Sequence, residues 1–340
     1  MIVQNECGAL ALAGTLLDES RRDYIENLLE PMVPAAQADG QGVTRSCFAA
    51  ALNLVLFADL LYRVPSGATY VDDVRWSGGK VCFDHGAIRT IRFPDGMTGL
   101  LPQGELAFRR ILEPLGYEVA AIYPLPTLKM TGRAYRHRDF PETIPQFFVS
   151  ELHVEEFDEA FGAAAQRVFG TSQDPLDAAA NAALARFAAG QALSFEEARR
   201  VLPTLVRAFD RQHAQPSLAD YEVLKIVSKE AAWIATEGNA FNHATDRVPD
   251  IDKLAAEQKA MGRPMKEKIE VSRKGRVRQT AYRADMIERK FSTPEGDQTL
   301  FVPGSFYEFI SRDLDPDTGV LDLSFDSGNA TGIFHMTKAA

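Results

Sequence analysis

Cysteine is scarce in this chain. Among 340 residues there are three, Cys7, Cys47 and Cys82. The number is odd and the spacing fits neither a disulfide framework nor a structural zinc motif. Three reduced, mostly buried thiols in a cytoplasmic protein are expected. Positive charge is also short. Lys and Arg number 37 against 47 Asp and Glu, a formal net charge of −10. A duplex-binding protein needs an excess of cations to displace phosphate counterions, so nucleic acid is not an expected partner. Long apolar runs are missing too. The most apolar stretch, residues 47–62, contains Asn53 and Asp59 and falls short of the ~20 residues a bilayer span requires. It reads as a buried helix, with no membrane partner expected. Near the N-terminus Glu6 interrupts any basic region, and Arg21 and Arg22 follow the apolar stretch rather than precede it. That is not the order of a signal peptide. What remains is 46% hydrophobic and 25% charged, enough apolar residue to bury a full core without staples.

Periodicity divides the chain into two similar halves joined by helices. Residues 8–62 carry leucines and alanines at three-to-four spacing and read as helical, with Pro65, Ser66 and Gly67 stopping the pattern. Then comes a strand at 80–93, a helix at 105–115 ended by Gly116, and extended stretches at 117–123, 127–136 and 146–154. The order is β-α-β-β-β. It recurs as a strand at 240–248, a helix at 250–261 capped by Asp250, and extended stretches at 268–272, 279–291 and 299–312. Between the halves, residues 155–235 are rich in Ala, Arg and Glu at helical spacing, with Pro203 predicted to break two helices. The expected organisation is an N-terminal helical region (1–79), a first repeat (80–154), a helical insertion (155–235) placed to cover a site, and a second repeat with a closing segment (236–340). The expected fold class is α+β.

The first strands of the halves share a motif. Phe83-Asp84-His85-Gly86-Ala87-Ile88-Arg89 and Phe241-Asn242-His243-Ala244-Thr245-Asp246-Arg247 both read Phe-x-His-x-x-x-Arg. Shared element order and shared motif together indicate a duplicated module. On a strand, alternate residues face one side, so Phe83, His85, Ala87 and Arg89 share a face. So do Phe241, His243, Thr245 and Arg247, and likewise Phe306, Glu308, Ile310 and Arg312. Two such modules packed edge to edge would direct His85, His243 and Glu308 at a common centre. A lone His on a strand is more often a core residue than a ligand; two at matching places in a repeat are not explained that way. Two His and one carboxylate occupy one face of an octahedron and leave positions for a chelating substrate and dioxygen, the arrangement of non-haem Fe(II) oxygenases. Glu308 lies 65 residues after His243, and the same step from His85 reaches Ser150. Ser150 thereby becomes the expected counterpart of Glu308 and a candidate substrate contact.

Arg89 sits four residues past His85, about 13 Å along the same face. Its planar fork suits a substrate carboxylate bidentately; an internal salt bridge is the competing reading. Arg312 and Arg247 carry the same two readings, and Arg312 is a further candidate substrate contact. His137, His153, His213 and His335 have no symmetric counterpart and read as packing or surface residues. The basic run at 263–290 is interleaved with Glu267, Glu270, Asp285 and Glu288 and has no stacking aromatics in line, so it reads as a solvated hairpin. The glycine-bearing segment at 325–334 follows the last strand and opens no helix. It is no phosphate loop, but it is positioned to close over a pocket.

Three motifs now resemble a known family. Asp84-His85-Gly86-Ala87-Ile88-Arg89-Thr90, Phe241-Asn242-His243-Ala244-Thr245 and Phe306-Tyr307-Glu308-Phe309-Ile310-Ser311-Arg312 are similar to motifs of the 2-oxoadipate dioxygenase/decarboxylase family. The family was long a domain of unknown function with the vicinal oxygen chelate fold, and is similar to hydroxymandelate synthase. The resemblance runs from about residue 80 to the end. It implies a two-repeat curved sheet, His85, His243 and Glu308 as Fe(II) ligands, and Arg89 as the catalytic-site residue holding the substrate carboxylate. The implied reaction takes 2-oxoadipate and dioxygen to 2-hydroxyglutarate and carbon dioxide, a step in lysine catabolism. Two rivals stand beside it. One is a redox-neutral, glyoxalase-like metal isomerase, which would want a fourth ligand at Ser150 or, with a one-residue slip, Glu151. The other is a non-catalytic small-molecule-binding protein, which needs no metal triad.

Overall fold

The computed structural model describes residues 8–33 and 42–326. Cys7, His335 and most of the 325–334 segment lie outside the described residues. Four helices come first: α1 (Ala9–Ala13), α2 (Glu19–Leu28), α3 (Arg45–Arg63) and α4 (Pro65–Trp76). The expected stop at Pro65 is also a start. Proline lacks the N–H that the first helical position leaves unbonded anyway, so it ends α3 and opens α4. Helix α3 is long and apolar enough to cross a membrane, but 78% of its apolar window is buried inside the fold.

The first repeat is β1 (Phe83–Arg92), α5 (Leu106–Leu112), β2 (Tyr117–Leu125), β3 (Met130–His137) and β4 (Gln146–His153). Five helices follow: α6 (Glu159–Phe169), α7 (Ala178–Ala188), α8 (Phe195–Arg207), α9 (Leu218–Val227) and α10 (Lys229–Glu237). Pro203 lies inside α8 rather than between helices. The carbonyl it leaves unbonded belongs to Arg199, an exposed residue. The second repeat holds β5 (His243–Arg247), α11 (Ile251–Ala260), β6 (Glu270–Val271), β7 (Val277–Ala281), β8 (Met286–Thr293), β9 (Gly296–Pro303) and β10 (Phe306–Arg312). Each of the last two expected stretches is split in two. Strands β8 and β9 leave the sheet as a separate hairpin, and Phe291 of β8 packs on Tyr221 of α9, ring centroids 4.5 Å apart.

The other eight strands form one curled sheet in the order β2-β3-β4-β1-β5-β10-β7-β6. That order is a palindrome of the two repeats about the antiparallel β1–β5 pair. In each half the His strand runs parallel to the last strand of its repeat, β1 to β4 and β5 to β10. This is the two-repeat half-barrel expected of a vicinal oxygen chelate fold.

Alternation along the strands sorts the side chains. Ile88, Phe147, Val149, Ala244, Tyr307 and Phe309 belong to the core beneath the helices, while His85, His243 and Glu308 face the concave side. One expectation fails here. Phe83 does not share the face of His85, because the β1–β5 register slips between them and leaves Asp84 as a bulge residue. Phe83 therefore enters the helix-covered core, its ring 4.9 Å from Phe57. Phe241 precedes β5 and joins the same core. A Cβ on Gly86 would stand 2.3 Å from the Phe241 ring; glycine is what allows that close approach.

Candidate metal centre

The curl brings His85, His243 and Glu308 together. One ligand atom from each lies within 4.8 Å of the others, and all three residues are buried. Nε2 of His85 is 3.2 Å and Nε2 of His243 is 3.4 Å from the same carboxylate oxygen, Oε2 of Glu308. The imidazoles stand edge to face, centroids 5.6 Å apart. Neighbours fix each ligand. His85 Nδ1 is 2.8 Å from Asp84 Oδ1, and His243 Nδ1 is 3.2 Å from Asn242 Oδ1. With each Nδ1 proton given to an oxygen, each Nε2 lone pair faces the centre. Thr245 Oγ1 donates to Glu308 Oε2 at 2.6 Å, and Gln279 Nε2 donates to Oε1 at 3.3 Å.

This donor set fits a divalent cation. Glu308 is fully buried, and among the described residues no Lys or Arg lies in salt-bridge reach of it. A buried carboxylate needs a counter-charge, and the groups around it are two imidazoles. Burial pushes His243 down to about 3, so it is the neutral imidazole a metal requires. Burial opposes charge on His85 too, but the hydrogen bonds to Asp84 and Glu308 outweigh it and raise its pKa. Glu308 is lowered despite burial because the two imidazoles and Thr245 favour its carboxylate.

The register corrects the predicted fourth position. On parallel partners His85 pairs with Gln146 and His243 with Phe306. Glu308 lies two residues past Phe306, so its counterpart lies two past Gln146. That residue is Phe148, not Ser150. The connection carrying the β8–β9 hairpin makes the second half longer, so an equal step of 65 residues overshoots by one pleat in the first. Glu151 is excluded as well: it faces the other side and accepts the Glu105 amide at 2.8 Å. A phenyl ring stands where a fourth ligand would be.

Phe148, Ala87, Arg89, Ser150 and Phe325 line a pocket that opens onto the two His residues. The Arg89 guanidinium is buried and lies 5.1 Å from the Trp233 ring centre of α10. Burial pushes it down to about 10, opposed by Glu230, which leaves it cationic at neutral pH. The insertion thus supplies one wall of the Arg89 site. Ser150 is on the cavity wall, its Oγ donating to the Ile88 carbonyl at 3.1 Å.

Arg312 takes the internal salt-bridge reading. Its guanidinium grips Asp84 at 2.9 and 2.8 Å and donates to the carbonyls of Asp322 and Ser324. The bulge explains this, because it turns Asp84 toward the end of β10. Asp84 stays well below the ordinary carboxylate range; burial opposes this, and Arg312 and His85 overcome it. Arg247 also takes the internal reading, held by Cys82 Sγ at 3.0 Å and the Glu142 carbonyl at 2.7 Å. His137 and His213 are buried packing residues, as expected.

A family model for 2-oxoadipate dioxygenase/decarboxylase matches residues 72–315. The chain belongs to the 2-oxoadipate dioxygenase/decarboxylase family. The family is described by an enzymatic activity, which supports enzyme status for the chain. A glyoxalase-superfamily protein from Ralstonia eutropha JMP134 is 50% identical, with a TM-score of 0.87, covering 94% of this chain and 98% of its own. Hydroxyglutarate synthase from Oryza sativa, solved with 2-oxoadipate, has the same fold at 22% identity, TM-score 0.66, covering 88% and 96%. The Pseudomonas putida hydroxyglutarate synthase, also solved with 2-oxoadipate, aligns at 20% identity, TM-score 0.57, covering 88% and 74%. Among curated proteins no significant match is found.

Asp84, Asn242, Thr245, Gln279 and Trp233 were not foreseen as site residues. A signal existed for two of them. Asp84 and Asn242 occupy the same place in the repeated motif, one residue before each His.

Proposed function

We propose that this chain is an Fe(II)-dependent dioxygenase that decarboxylates a 2-oxo dicarboxylic acid, converting 2-oxoadipate and dioxygen to 2-hydroxyglutarate and carbon dioxide. The observation that carries this reading is a three-ligand set with phenylalanine at the symmetric fourth position. Iron held by His85, His243 and Glu308 would supply Lewis acidity for chelating the 2-oxo acid and a site for activating dioxygen.

The chain's own residues do the rest. Arg89 is a fixed cation in the cavity that holds the His ligands, and it binds a carboxylate reaching across from them. Trp233 keeps that guanidinium in place by stacking on it. Thr245 and Gln279 hold the Glu308 carboxylate by its two oxygens. Phe148, Ala87 and Phe325 wall the cavity with apolar surface, which keeps water from the reacting carbon. The 2-oxoadipate specificity is supported by the family match and by the ligand bound in the two hydroxyglutarate synthases of the same fold.

The test is to load the protein with Fe(II) without air, add 2-oxoadipate, admit dioxygen, and follow oxygen uptake with 2-hydroxyglutarate formation. His243→Ala is the control. Matched uptake and product, both lost in the control, are expected. Uptake with a different 2-oxo acid only would retain the mechanism and replace the substrate. No uptake with any 2-oxo acid, despite one bound metal per chain, would sink the oxygenase reading in favour of a redox-neutral isomerase.

A further inference from the structure

The residues that precede the two His ligands do one shared job with different chemistry. Asp84 and Asn242 each turn an oxygen to the Nδ1 of the following His. With His243 Nε2 given to a metal ion beside Glu308, its Nδ1 carries the proton, and the atom of Asn242 that meets it is the carbonyl oxygen. The amide nitrogen then points elsewhere. Asn242 Nδ2 has no hydrogen-bond partner among the described residues, the residue is 2% exposed, and it lines the same cavity as Arg89. Buried donors of this kind are normally satisfied.

The location of Asn242 is fixed by the sheet. Its N–H donates to the Ala87 carbonyl at 2.8 Å, and its carbonyl accepts from Phe306 at 3.1 Å. Ala87 pairs with His243, so the next rung outward sets Asn242 beside the stretch of β1 that leads to Arg89. Asn242 lines the same pocket as Arg89 and the two His residues, so a carboxylate spanning from the His pair to Arg89 would lie alongside its amide. Asp84 cannot play this part: a carboxylate has no proton to donate, and both its oxygens are already taken by His85 and Arg312.

We infer that Asn242 is bifunctional: its Oδ1 orients His243, and its Nδ2 donates a hydrogen bond to an oxygen of the bound 2-oxo acid, beside Arg89. This rests on the reading of the cavity as a 2-oxo acid site. The two repeats have thus diverged, one copy of the pre-His residue braced by Arg312 and the other turned to substrate.

Asn242→Asp separates the functions, because a carboxylate still accepts from His243 Nδ1, as Asp84 does for His85, but has lost the donor. Zn(II) binding to the apo-protein and binding of 2-oxoadipate to the Zn(II)-loaded protein without dioxygen are measured by calorimetry. Asn242→Asp is expected to bind Zn(II) within about threefold of the unaltered chain or more tightly, and 2-oxoadipate at least about tenfold more weakly. Asn242→Ala, measured at saturating Zn(II), is expected to lose 2-oxoadipate binding as well, which distinguishes a lost donor from an added charge. Unchanged 2-oxoadipate binding in both variants overturns the assignment. Loss of Zn(II) affinity in both, with normal 2-oxoadipate binding once metal is saturating, also overturns it, leaving Asn242 to act through His243 alone. Should the unaltered protein bind no 2-oxo acid, the inference falls together with the reading beneath it.

Discussion

Replacing Arg312 with Met removes a buried cation that serves three groups. Its guanidinium meets both oxygens of Asp84 at 2.9 and 2.8 Å, and both side chains are essentially sealed from water. Removing one partner of a buried pair typically costs about 3–5 kcal/mol, because the other charge stays behind uncompensated. Here the low end applies. Arg247 Nε remains 3.8 Å from Asp84 Oδ2, and His85 still donates to Oδ1. A loss of about 3 kcal/mol corresponds to a fall in melting temperature of roughly 4 °C in a chain of this size. The assay is thermal and urea unfolding of Arg312→Met, of Asp84→Asn and of the double variant. An amide needs no counter-charge, so the double variant is expected to be more stable than Arg312→Met alone, with a coupling of about 1 kcal/mol or more. A stability within about 1 kcal/mol of the unaltered protein, accompanied by a tenfold rise in KM for the 2-oxo acid, would refute this reasoning and return Arg312 to the substrate.

Phe148→Glu should install a fourth ligand opposite Glu308: Zn(II) affinity rises about tenfold or more and oxygen uptake is lost, whereas unchanged Zn(II) affinity would show that Phe148 is not the symmetric mate. Asp246 gives a pH signature. Burial raises its carboxyl from 3.8 to about 7, against the opposing hydrogen bonds from Tyr70 and the Cys82 amide. An acid raised on folding keeps its proton in the native state after the unfolded chain has released it, so its contribution is lost as pH rises from about 4 to 7. Relative to Asp246→Asn, the unaltered protein should lose about 3 kcal/mol of stability between pH 5 and pH 8; urea unfolding at both values that gives parallel curves would count against a buried, proton-holding Asp246.

The site residues were legible to different degrees for physical reasons. His85 and His243 stand out because a duplicated motif repeats the same residue types in the same strand, and Glu308 follows from the two-residue period of the last strand. Strand and helix positions emerge from local periodicity, which is why most boundaries agree within a few residues. Proline misled twice, since its effect depends on what surrounds it: Pro65 begins a helix, and Pro203 sits inside one whose free carbonyl belongs to an exposed residue.

The sequence by itself determined the duplicated module, the candidate His-His-Glu triad and the acidic, cysteine-poor character of the chain, because each is written in residue types and strand spacing. Only the tertiary structure decided the partners. A bulge at Asp84 and an extra hairpin in the second repeat each shift register by a residue or two. On a surface of period two, such shifts determine whether Ser150 or Phe148 answers Glu308. They also determine whether Arg312 reaches a substrate or a buried aspartate.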